Sequence, residues 1–333
     1  MTESRRKRVF IAEREHGLPY SKGLTASSLM VTGLGPAHSY AVANRVEEEL
    51  HALGEATVSE ERLRDLTVDV LRREAGDKYA EALIKWQSIA ELDMPLIILL
   101  GGATGVGKST IATQLAGRLG IIRIVSTDAV REVLRSAFTA EMFPTLYASS
   151  FEADKAVRQP IPHSGDRLII GFREQAAAVA VGAQALIDRA IAENTDLILE
   201  GAHLVPGFLQ SVESDQAVIV PLLLTVDDEE LHRSHFYWRN REARPKDRYL
   251  HGFKKIRRLQ KYMISSALMR GVPTISHDDL DATLSEIIDH VITKALATVE
   301  RAKPPAGERP LEKAVRVADR NRPGEGSQRS ISP

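Results

Sequence analysis

The stretch "LIILLGGATGVGKSTIATQL", residues 96–115, decides the fold of this 333-residue chain. It opens with an apolar run that predicts a buried strand and closes with a segment that predicts a helix. Between them, Gly102 to Ser109 fits the spacing G-x-x-x-x-G-K-[ST], which is typical of a loop whose backbone N–H groups cradle phosphates. A chance glycine-rich turn would seldom combine this motif with this context, so the sequence predicts a nucleotide-binding loop.

The residues of this loop have separate expected roles. Glycines adopt positive φ without strain and let the backbone approach phosphate oxygens closely. We expect Lys108 to reach the β- and γ-phosphates of ATP, Ser109 to offer its hydroxyl to Mg²⁺, and Thr110 to lie near the α-phosphate. The helix that begins here points its N-terminus at the anion. The predicted ATP-binding residues are Gly102, Ala103, Thr104, Gly105, Val106, Gly107, Lys108, Ser109 and Thr110.

Four more short apolar runs alternate with helical segments up to about residue 299, and this alternation predicts a parallel sheet. The runs are "IIRIVST", "DLILEGA", "VIVPLLLTV" and "VPTISH". The predicted fold is α/β, with a five-stranded parallel sheet covered by helices on both faces, at residues 91–300. Residues 1–90 hold two segments with helical spacing and predict a small, mostly helical domain. Residues 301–333, rich in Pro, Gly and charge, predict a disordered tail.

The composition excludes several classes of function. Lys plus Arg number 44 against 45 for Asp plus Glu, so no overall positive field draws the protein to nucleic acid or to an anionic membrane. Cysteine is absent, which excludes disulfides and thiolate chemistry and fits a reducing cytoplasm. No apolar run is long enough to span a bilayer. We therefore expect a cytoplasmic protein.

Two acids fall at predicted strand ends, where ligands of such sheets bind. Asp128, in "VSTDAVREVLR", is a candidate to orient and deprotonate an acceptor hydroxyl; its alternative role is to cap the following helix. Glu200, in "DLILEGAHLVPG", is a candidate to hold Mg²⁺ or the acceptor; its alternative is a surface ion pair. Arg131, one turn after Asp128, is a candidate for the acceptor's anionic groups. For His203, a capping or packing role is favoured over acceptor binding.

A basic segment follows the fourth predicted strand. Residues 233–261 contain eleven Lys or Arg and two acids, a concentration suited to binding phosphate and carboxylate groups. We predict that Arg239, Arg241 and Arg244 form a lid over the transferring phosphate. A solvated basic helix or an RNA-contacting patch is the alternative, and it is favoured for Lys254, Lys255, Arg257 and Arg258. Arg173, in the long segment before the third strand, is a further candidate for acceptor binding, although ordinary loop polarity explains that segment equally well.

Taken in order, "GGATGVGKST", "VSTDAVREVLR", "LILEGAHLVPG" and the basic segment resemble the 2-phosphoglycerate kinases, a family of P-loop small-molecule kinases. The stretch "VFIAEREHGLPYSKGLTASSLMVTGL" and the two helical segments after it are similar to an ATP-cone domain. The resemblance implies transfer of the γ-phosphoryl group of ATP to the hydroxyl of 2-phosphoglycerate, with Mg²⁺ required. It also implies a small anionic substrate as partner, and a cone through which copies of the chain could associate.

The residues themselves leave two alternatives open. One is a P-loop kinase of another acceptor, such as a sugar acid or a polynucleotide 5′-hydroxyl. The other is a nucleotide-sensing regulator that binds ATP and transfers nothing. The acid of "STD" and the dense arginines argue against the second alternative, because a pure sensor needs neither.

Overall fold

The computed structural model of the protein describes residues 9–13, 16–90, 94–158, 160, 165–209, 214–238 and 246–302. In these residues the strands form two sheets, one of three strands near the N-terminus and one of five strands that carries the phosphate loop. The predicted tail at residues 301–333 lies almost wholly outside them. Nowhere in these ranges does a helix reach the length and apolarity that a membrane span requires.

The N-terminal region combines helices with a small sheet. Its strands are β1 (Phe10–Glu13), β2 (His16–Pro19) and β3 (Thr57–Ser59), and its helices are α1 (Lys22–Leu29), α2 (Pro36–Ala52), α3 (Glu60–Ala75) and α4 (Asp77–Ala90). β1 pairs antiparallel with β2 and parallel with β3. The two segments predicted to be helical are α2 and α3, and Ser59 caps α3 by accepting the Arg62 N–H at 3.1 Å. The strands are too short for alternation to reveal them.

All five predicted strands of the larger sheet are confirmed. They are β4 (Leu96–Gly101), β5 (Ile124–Ser126), β6 (Leu197–Gly201), β7 (Val218–Thr225) and β8 (Thr274–Ser276). Their order across the sheet is β5-β6-β4-β7-β8, and every pair is parallel. β4 is therefore central, and the loop that follows it emerges in the middle of the sheet's carboxyl edge.

Helices cover both faces of this sheet. They are α5 (Lys108–Leu119), α6 (Thr127–Ala137), α7 (Arg167–Ala192), α8 (Glu229–Trp238), α9 (Lys246–His251), α10 (Phe253–Met269) and α11 (Leu280–Ala302). Successive side chains of a strand point to opposite faces. Ile97 and Leu99 of β4 accordingly share a buried cluster with Ile187 of α7. Ile98 and Leu100 belong to a different cluster, which includes α5 and α11.

The N-terminal region packs directly against the larger sheet's helices. Leu29 and Leu50 lie in the same buried cluster as Ile111 of α5 and Ile287 of α11. The Ser27 hydroxyl donates to the Gly117 carbonyl at 2.8 Å. The two regions thus share one hydrophobic core, and the predicted division near residue 90 stays a prediction.

Strand register brings the predicted site residues to one edge. Glu200 on β6 lies opposite Leu100 on β4 and opposite Ser126 on β5. The chain then continues from Leu100 into the phosphate loop and from Ser126 into Asp128. The register of the parallel strands therefore makes neighbours of residues that are up to 100 positions apart in sequence.

Candidate active site

The phosphate loop has the backbone conformation that its glycines predict. Gly102, Gly105 and Gly107 have φ values of 151°, 93° and 90°, a region that residues with a side chain rarely adopt. A Cβ at Gly102 would lie 2.5 Å from the Leu224 carbonyl oxygen, so this position also permits a close approach to β7. α5 begins at Lys108 directly after the loop, and its N-terminal N–H groups are available to an anion.

Three polar side chains lie beside this loop, those of Lys108, Ser109 and Glu200. The Lys108 ammonium, buried at 7% exposure, donates to the Ala103 carbonyl at 2.9 Å and so spans the loop. The Ser109 hydroxyl donates to Glu200 Oε1 at 2.8 Å. Glu200 is also 7% exposed, which rules out the alternative that it forms a surface ion pair. One carboxylate oxygen and one hydroxyl oxygen therefore meet beneath the loop.

Asp128 and Arg131 stand together on α6. Ser126 caps this helix by accepting the Ala129 N–H at 3.1 Å, so the alternative role of Asp128 as the cap is wrong. The Asp128 carboxylate is 60% exposed and lies 3.4 Å from an Arg131 guanidinium nitrogen. Arg131 also donates to the Ala148 carbonyl at 2.9 Å, while its Nε is buried and has no hydrogen-bond partner among the described residues.

The opposite wall comes from residues 149–151 and from α9. Arg248 donates to the Ser149 hydroxyl at 2.6 Å and through Nε to Glu152 at 3.0 Å. Hydrogen bonds from Lys155 and then from Arg248 lower the pKa of the Glu152 carboxyl, so its negative charge holds the guanidinium in place. Tyr249 stacks on Phe236, with ring centroids 5.3 Å apart.

Together these groups enclose a polar pocket of about 300 Å³. Its lining residues are Thr104, Gly105, Lys108, Ser109, Ser126, Asp128, Arg131, Ser149, Ser150, Phe151, Glu200, Gly201, Ala202, Arg248 and Tyr249. Three cationic side chains, Lys108, Arg131 and Arg248, face this one space. The pocket can therefore hold a strongly anionic small molecule next to a bound nucleotide phosphate.

Comparison with known proteins identifies the family. A 2-phosphoglycerate kinase of Methanopyrus kandleri is 34% identical over 317 residues, which cover 94% of this chain and 93% of that protein. The chain belongs to the 2-phosphoglycerate kinase family. The kinase of the same name from Methanothermobacter thermautotrophicus is 37% identical, over 84% of this chain and 92% of that protein, and the one from Pyrococcus furiosus is 38% identical, over 85% and 93%.

Other comparisons add less. A scan against protein-family models finds no match. Among solved structures, a shikimate kinase from Acinetobacter baumannii in complex with shikimate covers 66% of this chain and 99% of that chain at 16% identity. Its TM-score is 0.36, which is too low to carry any conclusion. The family assignment therefore rests on the archaeal relatives.

In this 2-phosphoglycerate kinase family member, a buried hydrogen-bond network lies beneath the pocket. Gln175 donates its amide hydrogens to the Thr145 and Ala148 carbonyls at 2.6 and 2.9 Å, so its Oε1 is free to accept from His203 Nε2 at 3.2 Å. His203 Nδ1 then accepts from the Thr127 hydroxyl at 2.8 Å. Burial lowers the pKa of His203 to about 4, and the neutral ring is a packing residue, as favoured from sequence.

Not every predicted residue of this family member reaches the pocket. Arg173 lies exposed on α7 with its guanidinium carbon 6.0 Å from the Phe208 ring centroid, and it does not line the pocket. The prediction that it binds the acceptor is therefore not supported. Arg239, Arg241 and Arg244 lie outside the described residues, so the lid stays a prediction. Within the loop, Gly102, Ala103, Val106, Gly107 and Thr110 are likewise not pocket-lining residues, since the pocket covers only the side of the loop that faces Asp128.

The basic face predicted on α10 is only partly solvated. Lys254 and Arg258 are exposed as predicted, and Arg258 pairs with Asp166. Arg257, only 15% exposed, donates instead to the Val226 and Asp227 carbonyls at 2.5 and 2.9 Å. Lys255 pairs with Asp154 at 2.7 Å. The prediction of a solvated face is therefore wrong for Arg257, whereas Lys255 is paired but still 37% exposed.

The sequence did not predict several other residues that line the pocket or contact the phosphate loop of this family member. Arg248 and Tyr249 lie in the basic segment, but the opposite-wall residues that contact them, Ser149, Phe151 and Glu152, are 96 to 99 positions earlier in the chain, so no local pattern marks them. The same holds for His232, His235 and His277, which contact the phosphate loop from α8 and from the end of β8. The positive charge of residues 233–261 did predict anion binding by this segment, and Arg248 belongs to it.

Proposed function

We propose that this protein transfers the γ-phosphoryl group of ATP to the free hydroxyl of 2-phosphoglycerate, giving 2,3-bisphosphoglycerate and ADP. The observation that carries this proposal is the polar pocket, in which the phosphate loop and Asp128 share one space with Arg131 and Arg248. The archaeal relatives named 2-phosphoglycerate kinase, at 34–38% identity, support the choice of acceptor.

The charges of the pocket match those of this acceptor. 2-Phosphoglycerate carries a phosphate and a carboxylate, and arginine binds both kinds of group through paired N–H donors. Arg131 retains a buried Nε without a hydrogen-bond partner among the described residues. Arg248 is already oriented by Glu152 and Ser149. Each anionic group of the acceptor would thus have its own guanidinium.

In the transfer step, a bond forms between the acceptor hydroxyl oxygen and the γ-phosphorus, and the bond from that phosphorus to the β-phosphate oxygen breaks. Asp128, exposed to the pocket, would orient the hydroxyl and accept its proton. Lys108 and the loop N–H groups would stabilise the charge on the phosphoryl oxygens. Positioning of the two substrates supplies most of the catalysis in such reactions.

The donor atoms beneath the loop fit Mg²⁺. This ion prefers oxygen ligands and usually takes one or two from the protein and the rest from water and substrate phosphates. Ser109 Oγ and Glu200 Oε1, 2.8 Å apart, are such oxygens. Bound there, Mg²⁺ would neutralise charge on the β- and γ-phosphates.

The remaining predictions concern organisation and location. A separate ATP-cone-like domain at residues 1–90, association of copies through it, and a cytoplasmic location are supported only by the sequence patterns given above. The shared core of the two regions makes the N-terminal region a structural support for α5 and α11 in any case.

The direct test is phosphorus NMR of the purified protein with Mg·ATP and 2-phosphoglycerate, with 3-phosphoglycerate, glycerate and no acceptor as parallel reactions. We expect a bisphosphoglycerate signal with 2-phosphoglycerate only, and none from the Lys108→Ala variant. Consumption of ATP with a different acceptor alone would retain a kinase and overturn the named substrate. Binding of ATP without transfer to any acceptor would favour the nucleotide-sensing alternative.

A further inference from the structure

Three histidines contact three successive carbonyl oxygens of the phosphate loop. His232 Nε2 lies 2.9 Å from the Thr104 oxygen, His235 Nδ1 lies 2.9 Å from the Gly105 oxygen, and His277 Nδ1 lies 3.0 Å from the Val106 oxygen. His232 and His235 are one turn apart on α8, whereas His277 follows β8. No single motif in the sequence joins these positions.

Each of these contacts has a defined direction. A backbone carbonyl oxygen can only accept, so the ring nitrogen facing it must carry the hydrogen. For His232 this places the hydrogen on Nε2, and its Nδ1 is buried with no hydrogen-bond partner among the described residues. Burial lowers the pKa of His232 to about 4, so the ring is neutral at neutral pH and keeps this tautomer.

The direction of the carbonyls fixes the direction of the amides. In a planar trans peptide the carbonyl oxygen of one residue and the N–H of the next point to opposite sides. The three carbonyls held by histidines belong to the peptides whose N–H groups are those of Gly105, Val106 and Gly107. With the carbonyls bound on the outer side, these three N–H groups turn toward the inner side, where the nucleotide phosphates would bind.

The rings also explain why two loop positions are glycine. A Cβ at Gly107 would lie 2.5 Å from His277 Nδ1, and one at Gly105 would lie 3.0 Å from His232 Nε2 and 2.3 Å from the Phe236 ring. Both glycines also have positive φ. The histidine rings therefore pack against the α-carbons of the loop, in addition to bonding its carbonyls.

We propose that His232, His235 and His277 are positioning residues that hold the phosphate loop in its anion-binding conformation before nucleotide arrives. They touch no reacting atom and act through the loop backbone. Preorganisation of this kind lowers the ordering cost of binding. The proposal depends on nucleotide binding by the loop and is independent of which acceptor is phosphorylated.

The test uses pairs of variants that differ only in the donor. An asparagine amide nitrogen takes nearly the place of a histidine Nδ1, and a glutamine amide nitrogen takes nearly that of Nε2. The pairs are His235→Asn with His235→Leu, His277→Asn with His277→Leu, and His232→Gln with His232→Met. His38→Asn with His38→Leu, at an exposed position on α2, is the control pair.

Affinities for ATP and for inorganic tripolyphosphate are measured by calorimetry without acceptor, and melting temperatures without ligand. We expect each Leu or Met variant to bind both ligands roughly five- to tenfold more weakly than its Asn or Gln partner, about the effect of one hydrogen bond. Because each bond is also present without ligand, the Leu or Met variant should melt somewhat below its Asn or Gln partner, and the control pair should match the wild type.

Equal affinities within all three pairs would overturn the proposal. So would a loss confined to melting temperature, because that would assign the histidines a purely structural role. A weaker affinity for ATP with an unchanged affinity for tripolyphosphate would also contradict the proposal, because the histidines would then affect binding of the nucleoside and not of the phosphates. Should a Leu variant fail to fold, its Asn partner compared with the wild type still tests whether the donor alone is sufficient.

Discussion

At the residue scale, Asp128 is the side chain on which the proposed proton transfer depends. Asp128→Asn keeps the shape and a contact to Arg131, 3.4 Å away in the native protein, but it cannot accept a proton. We expect kcat to fall roughly a hundredfold or more, with the KM for ATP changed little because the loop residues are intact. Steady-state kinetics against both substrates would measure this split.

The matched control for this prediction is Asp188→Asn, which neutralises an exposed carboxylate on α7 that does not line the pocket. It should leave both constants unchanged. A normal turnover number for Asp128→Asn would mean that the acceptor proton leaves by another route and that the assigned role is wrong.

Local pattern sufficed for some residues of the site and failed for others. Lys108, Ser109 and Glu200 could be predicted because each belongs to a short motif at the end of a strand. Arg248 and His277 could not be placed, because their partners, Ser149 and Val106, are 99 and 171 positions away in sequence. Contacts of that range depend on the packing of whole elements, which a single sequence does not state.

At the element scale, the six-residue helix α9 supplies the pocket wall through Arg248. We expect Arg248→Met to raise the KM for the acceptor roughly tenfold or more, since a charge-assisted pair of hydrogen bonds to an anion would be lost. Arg248→Lys, which keeps the charge without the planar fork, should have an intermediate effect. The KM for ATP should change far less in both variants.

Arg258→Met on α10 is the control for this prediction, because its guanidinium pairs with Asp166 and does not line the pocket. An equal rise in both KM values for Arg248→Met would indicate a general disturbance of the site and contradict acceptor binding by Arg248.

Elements were predictable where their hydrophobic pattern was long enough. In the larger sheet, β4, β6 and β7 are apolar runs buried almost throughout, as central parallel strands are. The edge strands β5 and β8 have only three residues and are partly exposed, but each lies in a longer run, "IIRIVST" and "VPTISH", that predicted it. β1, β2 and β3 have only three or four residues, and β3 pairs with β1 across α1 and α2, so neither length nor alternation marked them. The lid arginines fall between α8 and α9 in the sequence, at positions outside the described residues.

At the scale of the whole molecule, two buried neutral histidines connect the site to the stability of the fold. Burial lowers the pKa of His203 and of His232 to about 4, against about 6.5 for an unfolded histidine. Between these values the unfolded chain binds more protons than the folded protein, so stability falls as pH falls. For each histidine the loss from pH 7 to pH 5 is on the order of 2 kcal/mol.

Urea unfolding at several pH values between 7 and 5 would measure this loss of stability. Carboxylates with lowered pKa remain ionised in this range, so they contribute less to the change in stability. The variants His203→Asn and His232→Gln should be less stable than the wild type at pH 7, yet each should lose less stability on acidification because one proton-binding difference is removed. An unchanged pH slope in both variants would show that these histidines take up protons in the folded protein as readily as in the unfolded chain. The His203 network beneath the pocket and the His232 contact to Thr104 each require one neutral tautomer of the ring. Protonation of these rings would remove that tautomer, so the same measurement tests the site as well as the fold.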